Sequence, residues 1–332
     1  MSRLNLLARQ WWAGELGAAG TALDIGLAPA EAVYRFGVRL RRRAFDRGLL
    51  EVQRVAAPVI SVGNVAVGGT GKTPFAHWLA VRLQEHGRRP AVLHGGYADD
   101  EPELHRRWSP DIPVVVERDR VAGAERALAA GADVLVLDDG FQHRRLGRDL
   151  DIVLVSAERW AMPARLLPRG PWREPPSALA RADIVVVTRK AALAADARAV
   201  AGEIAPFTHA PVLLAHLRPA GWRDRLGPSG PPVGRVLLVS GLAEPGLFEE
   251  SAKQAGADVA GHVVFPDHHG YSKADGTEIR RVAAGRTVVT TEKDWTKLQP
   301  LLDGVDVRLL AQQVIIEDGE DVLEARLSEL GA

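Results

Sequence analysis

The segment SVGNVAVGGTGKTP, Ser61 to Pro74, decides how this chain is read. It starts in an apolar run, PVISVGNV (58–65), passes a glycine-rich turn and enters a helix-like stretch, KTPFAHWLAVRLQEHG, at Lys72. Strand, glycine-rich loop, Gly-Lys-Thr and helix in that order are the setting of a phosphate-binding loop. Gly68, Gly69 and Gly71 let backbone N–H groups approach phosphate oxygens without interference from a Cβ. The start of the following helix adds the positive end of its dipole. Lys72 reaches the terminal phosphates and the Thr73 hydroxyl ligates Mg2+. The strict pattern G-x-x-x-x-G-K-[ST] asks for glycine where Ala66 stands, and alanine fits there if its φ is negative. The bland alternative is a βα turn without a ligand. The spacing assigns Ala66, Val67, Gly68, Gly69, Thr70, Gly71, Lys72 and Thr73 to a nucleotide.

A phosphate loop needs a second group on the metal side. VLVLDDGFQH supplies four apolar residues followed by Asp138 and Asp139, at the strand end where parallel sheets bind ligands. Either carboxylate can hold Mg2+, although acidic pairs are also common at turns. Further Val/Ile/Leu runs lie at 89–96, 112–117, 150–157, 182–189 and 211–218, with helix-like stretches between them. Continuous apolar runs mark strands covered on both faces, and the alternation marks a parallel α/β sheet flanked by helices. RPAGWRDRLGPSGPPVG (218–234) reads as a linker. The expected organisation is a helical arm (1–54), a P-loop core (55–217), the linker (218–234) and a second, smaller α/β domain (235–332).

Among the 332 residues, Lys plus Arg and Asp plus Glu each total 42, so no net charge draws the chain to nucleic acid. Cysteine is absent, which excludes disulfides, thiolate metal sites and cysteine nucleophiles. Only six lysines occur: Lys72, Lys190, Lys253, Lys273, Lys293 and Lys297. Where arginine is the usual cation, each compact ammonium stands out. No run reaches the ~20 apolar residues of a membrane-spanning helix. Residues 1–54 hold nine Arg and five acids. Leu4, Leu7 and Trp11 recur at helical spacing, and a second helix is expected from Pro29 to about Asp46. It sets Val33, Phe36 and Leu40 opposite Arg35, Arg39, Arg42 and Arg43. Either a packed arm or a helix lying on an anionic membrane fits this pattern.

The motifs together resemble the tetraacyldisaccharide 4'-kinase family of lipid A synthesis. VGNVAVGGTGKTP is similar to that family's loop, in which a non-glycine at position 66 is normal. DDGFQHRRLGRDLDIVLV (138–155), LLPRGPWREP (166–175), SGLAEPGLF (240–248), FPDHHGYS (265–272) and TTEKDWTKL (290–298) follow in the family order. The resemblance implies a P-loop kinase that uses ATP and Mg2+ on a lipid disaccharide, at the cytoplasmic face of a bacterial inner membrane. It implies a membrane-binding helix within residues 1–27 and a site in the cleft between a large and a small domain. A monomer is expected.

The resemblance also carries roles. In DDEP (99–102) it makes Asp100 the base that takes the acceptor's proton, with Glu101 beside it in the metal set of Thr73, Asp138 and Asp139. It makes His268 the partner that orients Asp100. Gln142, His143, Arg169 and Arg173 become substrate candidates; the two arginines suit phosphate, with a contact to the nucleotide base equally open. Lys293 and Asp294 read as a structural salt bridge. The chain departs from the family where S-R-G-Y is replaced by HGGY (94–97) and where Tyr97 and Asp100 are nearly adjacent, which puts the acceptor contacts in question. Another P-loop kinase or NTPase, or a nucleotide switch without transferase activity, are the competing readings.

Overall fold

The computed structural model describes residues 3–12, 14–96 and 100–330; Tyr97 and Asp99 therefore lie outside the described residues. Two helices come first, α1 (Arg3–Trp12) and α2 (Gly17–Asp46). Then follow β1 (Val59–Asn64), α3 (Lys72–Glu85), β2 (Pro90–His94), α4 (Asp100–Trp108), β3 (Val114–Val116) and α5 (Arg120–Ala129). Next are β4 (Val134–Asp138), β5 (Leu150–Ser156), β6 (Ile184–Arg189), α6 (Ala194–Ile204), β7 (Val212–Arg223) and β8 (Pro228–Ser229). The chain closes with β9 (Arg235–Ser240), α7 (Pro245–Gln254), β10 (Asp258–Val264), α8 (Lys273–Ala283), β11 (Val288–Thr291), α9 (Glu292–Leu298), β12 (Val307–Asp318) and α10 (Glu320–Glu329).

The α/β class and the parallel sheet flanked by helices are as expected. The strands form one sheet in the order β10-β9-β11-β12-β7-β6-β5-β1-β4-β2-β3, with β8 beside β7. Every residue of β1, β2, β4 and β5 is buried, which explains their unbroken apolar sequence. All pairings along this order are parallel except β7 with β12. That antiparallel pair of long strands joins two parallel portions.

Three expectations need correction. Residues 218–223, read as linker, continue β7. Their Pro and Gly mislead because Ala311 faces Gly221 while Gln312 faces Pro219, so Ala220 is an extra residue in a bulge, where proline and glycine are tolerated in a sheet. The chain's last elements return to the first portion: Leu323 and Leu327 of α10 share a core with Phe75, Leu79 and Leu83 of α3. Arg82 binds Glu320 and Glu324 at 2.9 and 2.8 Å across the same seam. Finally, α2 begins at Gly17 and runs through Pro29. An interior proline costs ~3 kcal/mol, but Pro29 faces solvent and α2 is tied down on its other side. Asp24 pairs with Arg165 and Arg169. Glu31 accepts from the Leu166 N–H at 3.0 Å, and the Tyr34 hydroxyl donates to the Arg173 carbonyl at 3.0 Å. The face left outward carries Ile25, Val33, Phe36 and Leu40, all more than half exposed. Among the described residues no helix is long and apolar enough to cross a membrane.

Candidate active site

The loop after β1 is braced from both sides. The Asn64 amide donates to the Thr70 hydroxyl at 3.0 Å, and Thr188 on β6 donates to the Thr70 carbonyl at 2.9 Å. Ala66 forms a bridge with Trp172 and the Val67 N–H donates to the Pro171 carbonyl at 2.7 Å. Ala66 is not among the residues of positive φ, so no glycine is needed at this position. Glycine is needed at Gly71, which caps α3 with φ 85° and where a Cβ would collide with Leu217. Gly68, at φ 114° and facing the movable Arg159 guanidinium, holds a backbone conformation that side-chain-bearing residues rarely adopt. The Lys190 ammonium donates to the Gly69 carbonyl at 2.8 Å.

A cavity of ≈ 700 Å³ opens over this loop, with Lys72 and Thr73 on one wall and Asp100, His268 and Lys293 on the other. Asp138 and Asp139 follow each other but do different things. Asp138 is fully buried at the end of β4, with Oδ2 3.1 Å from Nε2 of the equally buried His105. Its Oδ1 has no hydrogen-bond partner among the described residues. Burial opposes its charge; the His105 hydrogen bond and the nearby Lys72 ammonium still hold its pKa below the usual carboxylate value. Asp139 turns at φ 56°. Lys72 stands 3.6 Å from it, and Arg173 reaches both its oxygens at 3.0 and 2.9 Å. Burial resists its ionisation, and these two cations drive its pKa well below the usual range.

Carboxylate oxygens of Asp138 and Glu101 and a ring nitrogen of His94 all lie within 4.8 Å of one another. A buried carboxylate oxygen left bare costs free energy unless something charged meets it, so the residues present fit a divalent cation. Asp139 is already committed to Lys72 and Arg173. Thr73 is buried in the first turn of α3, at the cavity edge.

On the opposite wall, Asp100 begins α4 and is 3% exposed. His268 Nδ1 lies 3.1 Å from both of its oxygens, and Lys297 Nζ lies 2.9 Å from Oδ2. Lys293 Nζ lies 3.2 Å from His268 Nε2, 3.3 Å from Asp267 and 3.9 Å from Asp100. Burial works against the Asp100 charge; His268 and the lysines overcome it and hold its pKa far below normal. His268 has φ 57°, an uncommon conformation for a non-glycine residue and one that collects at functional sites.

Comparison with known proteins fits this geometry. The family model described as tetraacyldisaccharide-1-P 4'-kinase matches residues 23–105 and 98–331. This chain belongs to that family. The tetraacyldisaccharide 4'-kinase of Anaeromyxobacter dehalogenans (strain 2CP-C) is 41% identical, with 96% of this chain and 93% of the relative covered. That of Halorhodospira halophila is 39% identical over 83% of this chain and 84% of the relative. The crystal structure of "apo" form LpxK from Aquifex aeolicus in complex with ATP superposes with a TM-score of 0.76. Its identity is 31%, over 93% of this chain and 99% of that one.

The two pieces of the match to the 4'-kinase family model overlap at 98–105, into α4. His94, at the end of β2, reaches α4: its Nε2 lies 2.9 Å from Glu101 Oε2, and the Gly96 N–H donates to its Nδ1 at 3.1 Å.

The remaining sequence candidates divide. Arg173 lines the cavity. Arg169 does not; Glu31 at 3.3 Å and Asp24 at 3.8 Å draw it to α2, so its charge serves the docking of that helix. Gln142 donates to the Asn64 carbonyl at 2.8 Å and to Glu174 at 3.1 Å, bracing the loop. His143 is half-buried, and burial with the Arg120 charge pushes its pKa down to about 4. Lys293 does not pair with Asp294 as expected. Asp294 takes the Gly241 N–H, the Tyr271 hydroxyl and the Thr291 hydroxyl, while Lys293 turns into the cavity. Lys297, singled out in the sequence only as one of six lysines, was given no site role there.

Proposed function

We propose that this protein transfers the γ-phosphoryl group of ATP to the 4'-hydroxyl of a tetraacyldisaccharide 1-phosphate, a step of lipid A biosynthesis. The observation that carries the reading is the opposition of two sets across one cavity: the braced loop with Lys72, and the Asp100–His268 pair with its lysines. Loop N–H groups and Lys72 hold the triphosphate, and Thr73, Glu101 and Asp138 would hold Mg2+. That ion, when bound, draws charge from the phosphate oxygens. Asp139 orients Lys72 and Arg173. Asp100 takes the acceptor's proton as the sugar oxygen forms its bond to γ-phosphorus and the bond to the β–γ bridging oxygen breaks, releasing ADP. His268 holds Asp100 in place. A carboxylate held so far below its normal pKa is a poor base, and a γ-phosphate in this cavity would compete with Asp100 for Lys293 and Lys297. Its arrival relaxes their hold on Asp100.

The outward apolar stripe of α2, flanked by Arg39 and Arg43, supports placement of residues 1–54 as an arm on an anionic membrane surface, the inner face of a bacterial inner membrane. The protein acts there as a monomer, with residues 55–217 supplying the nucleotide and 235–306 much of the acceptor wall. The test is transfer of label from γ-labelled ATP to the lipid disaccharide in detergent, with binding to anionic vesicles measured in parallel. Nucleotide binding without labelled lipid would leave a switch protein instead.

A further inference from the structure

We propose that His94 and His105 are positioning residues that act through Glu101 and Asp138, deciding which carboxylate oxygens are left to face the nucleotide's divalent cation. The inference rests on the reading above that these two carboxylates hold the cation. His105 is the firmer half. Its side chain and that of Asp138 are each 1% exposed, and Nε2 lies 3.1 Å from Oδ2. His105 Nδ1 is buried without a hydrogen-bond partner among the described residues. A proton on Nδ1 would be a stranded buried donor, and a bare Nε2 would set a lone pair against a carboxylate. The neutral ring with its proton on Nε2 avoids both and donates to Oδ2. Oδ1 is thereby left as the oxygen without a partner.

His94 repeats the device one strand away. The Gly96 N–H donates to its Nδ1 at 3.1 Å, so in the neutral ring the proton sits on Nε2, 2.9 Å from Glu101 Oε2. β2 and β4 are neighbouring parallel strands, and the two histidines approach the cation-side carboxylates from separate elements, β2 and α4. With Nδ1 occupied and Nε2 donating, His94 is a partner of the ligand Glu101 and not itself a ligand. Groups that orient metal ligands in this way change metal affinity by about 10- to 100-fold when removed.

The test is Mn2+ binding to the full-length, ATP-loaded protein, followed by the paramagnetic resonance of free Mn2+, beside ATP binding without metal. His105→Leu and His94→Leu are expected to weaken Mn2+ binding about tenfold or more and leave metal-free ATP affinity within about threefold. His105→Gln and His94→Gln, whose amide N–H can reach the same oxygens, recover most of the loss. Leucine variants that bind Mn2+ like the wild type, while Asp138→Asn does not, overturn the proposal and leave the ligand reading standing. Unchanged binding in both Asp138→Asn and Glu101→Gln sinks the ligand reading and this proposal with it. A directly bonded imidazole nitrogen on Mn2+ that vanishes in His94→Gln overturns the donor role of His94. If a leucine variant does not fold, nitrogen-15 spectra of the wild-type histidines decide: Nε2–H in both rings agrees, and Nδ1–H in either overturns its half.

Discussion

The two walls of the cavity are built on different principles. The nucleotide wall comes from residues close in sequence, 64–73 and 138–139, carried by the ends of neighbouring strands β1 and β4 and braced by β6. The acceptor wall gathers Asp100 from α4, His268 from the segment after β10, and Lys293 and Lys297 from α9, a span of nearly two hundred positions. The first is held chiefly by backbone geometry. The second is held by charge: a carboxylate 3% exposed with three cationic or polar partners within 3.9 Å. Charged groups are held so deeply only while all partners are in place, so loss of one partner should disturb the acceptor wall more than loss of one contact disturbs the loop.

The largest expected effect is Lys72→Ala, which removes the loop's terminal-phosphate cation. Turnover should fall by at least ~10²–10³, the scale for one charge-stabilising donor, with weaker ATP binding by calorimetry. Wild-type turnover would end the loop assignment. Asp100→Asn comes next: kcat should drop by about 10²–10⁴, while ATP affinity stays within about threefold. If both constants fall together, the two walls are not separate. Lys297→Met should lower kcat by roughly tenfold, about 1.4 kcal/mol. It should also move the acid limb of the rate profile to higher pH, because the Asp100 pKa is depressed by its cations and rises when one is removed.

A smaller effect probes the seam between the walls. His77 on α3 lies beside His105 and Trp108 on α4, with ring centroids 5.7 and 4.8 Å apart, and burial pushes its pKa down to about 3. A lowered histidine pKa means that the unfolded chain takes up the proton first. Its contribution is complete above pH ~6.5 and is lost as pH falls toward 3. His77→Phe should therefore flatten the stability curve across that window by at most one proton, ~1.4 kcal/mol per pH unit, in urea titrations at stepped pH. The smallest effect should be Ala66→Gly: ATP affinity within about threefold and stability lower by ~0.5–1 kcal/mol, since Ala66 sits in an extended bridge and not in a glycine-only turn.

Legibility follows the same division. A phosphate loop is a local rule, so Gly71, Lys72 and Thr73 could be read directly, as could the apolar strands. The parallel sheet was likewise evident, but its continuity was not, because Pro219 and Gly221 look like a linker unless the bulge opposite Gln312 is known. The acceptor wall depends on which distant loops meet. Asp100 and His268 were reached through family resemblance, and Lys293 was assigned to Asp294 because sequence adjacency suggests a pair that tertiary hydrogen bonds preempt. His94 was met only as the first residue of HGGY, and His105 belongs to no quoted motif. Arg169 was misplaced for a related reason: an arginine-rich loop suits phosphate, yet the acids of α2 claim it.

The pairing of β7 with β12 has an architectural corollary. Arg223 and Leu309 are opposite each other in that ladder, so the segment from 224 to 308 begins and ends at one spot of the sheet. Topologically it is an insert in a nucleotide-binding body whose final helix, α10, already leans on α3. A version spliced from Arg223 to Leu309 through a short turn would keep the loop, both cation-side carboxylates and the closing helix. It would discard His268, Lys293 and Lys297, leaving Asp100 without its counter-charges: a protein built to hold ATP and unable to hand its phosphate on.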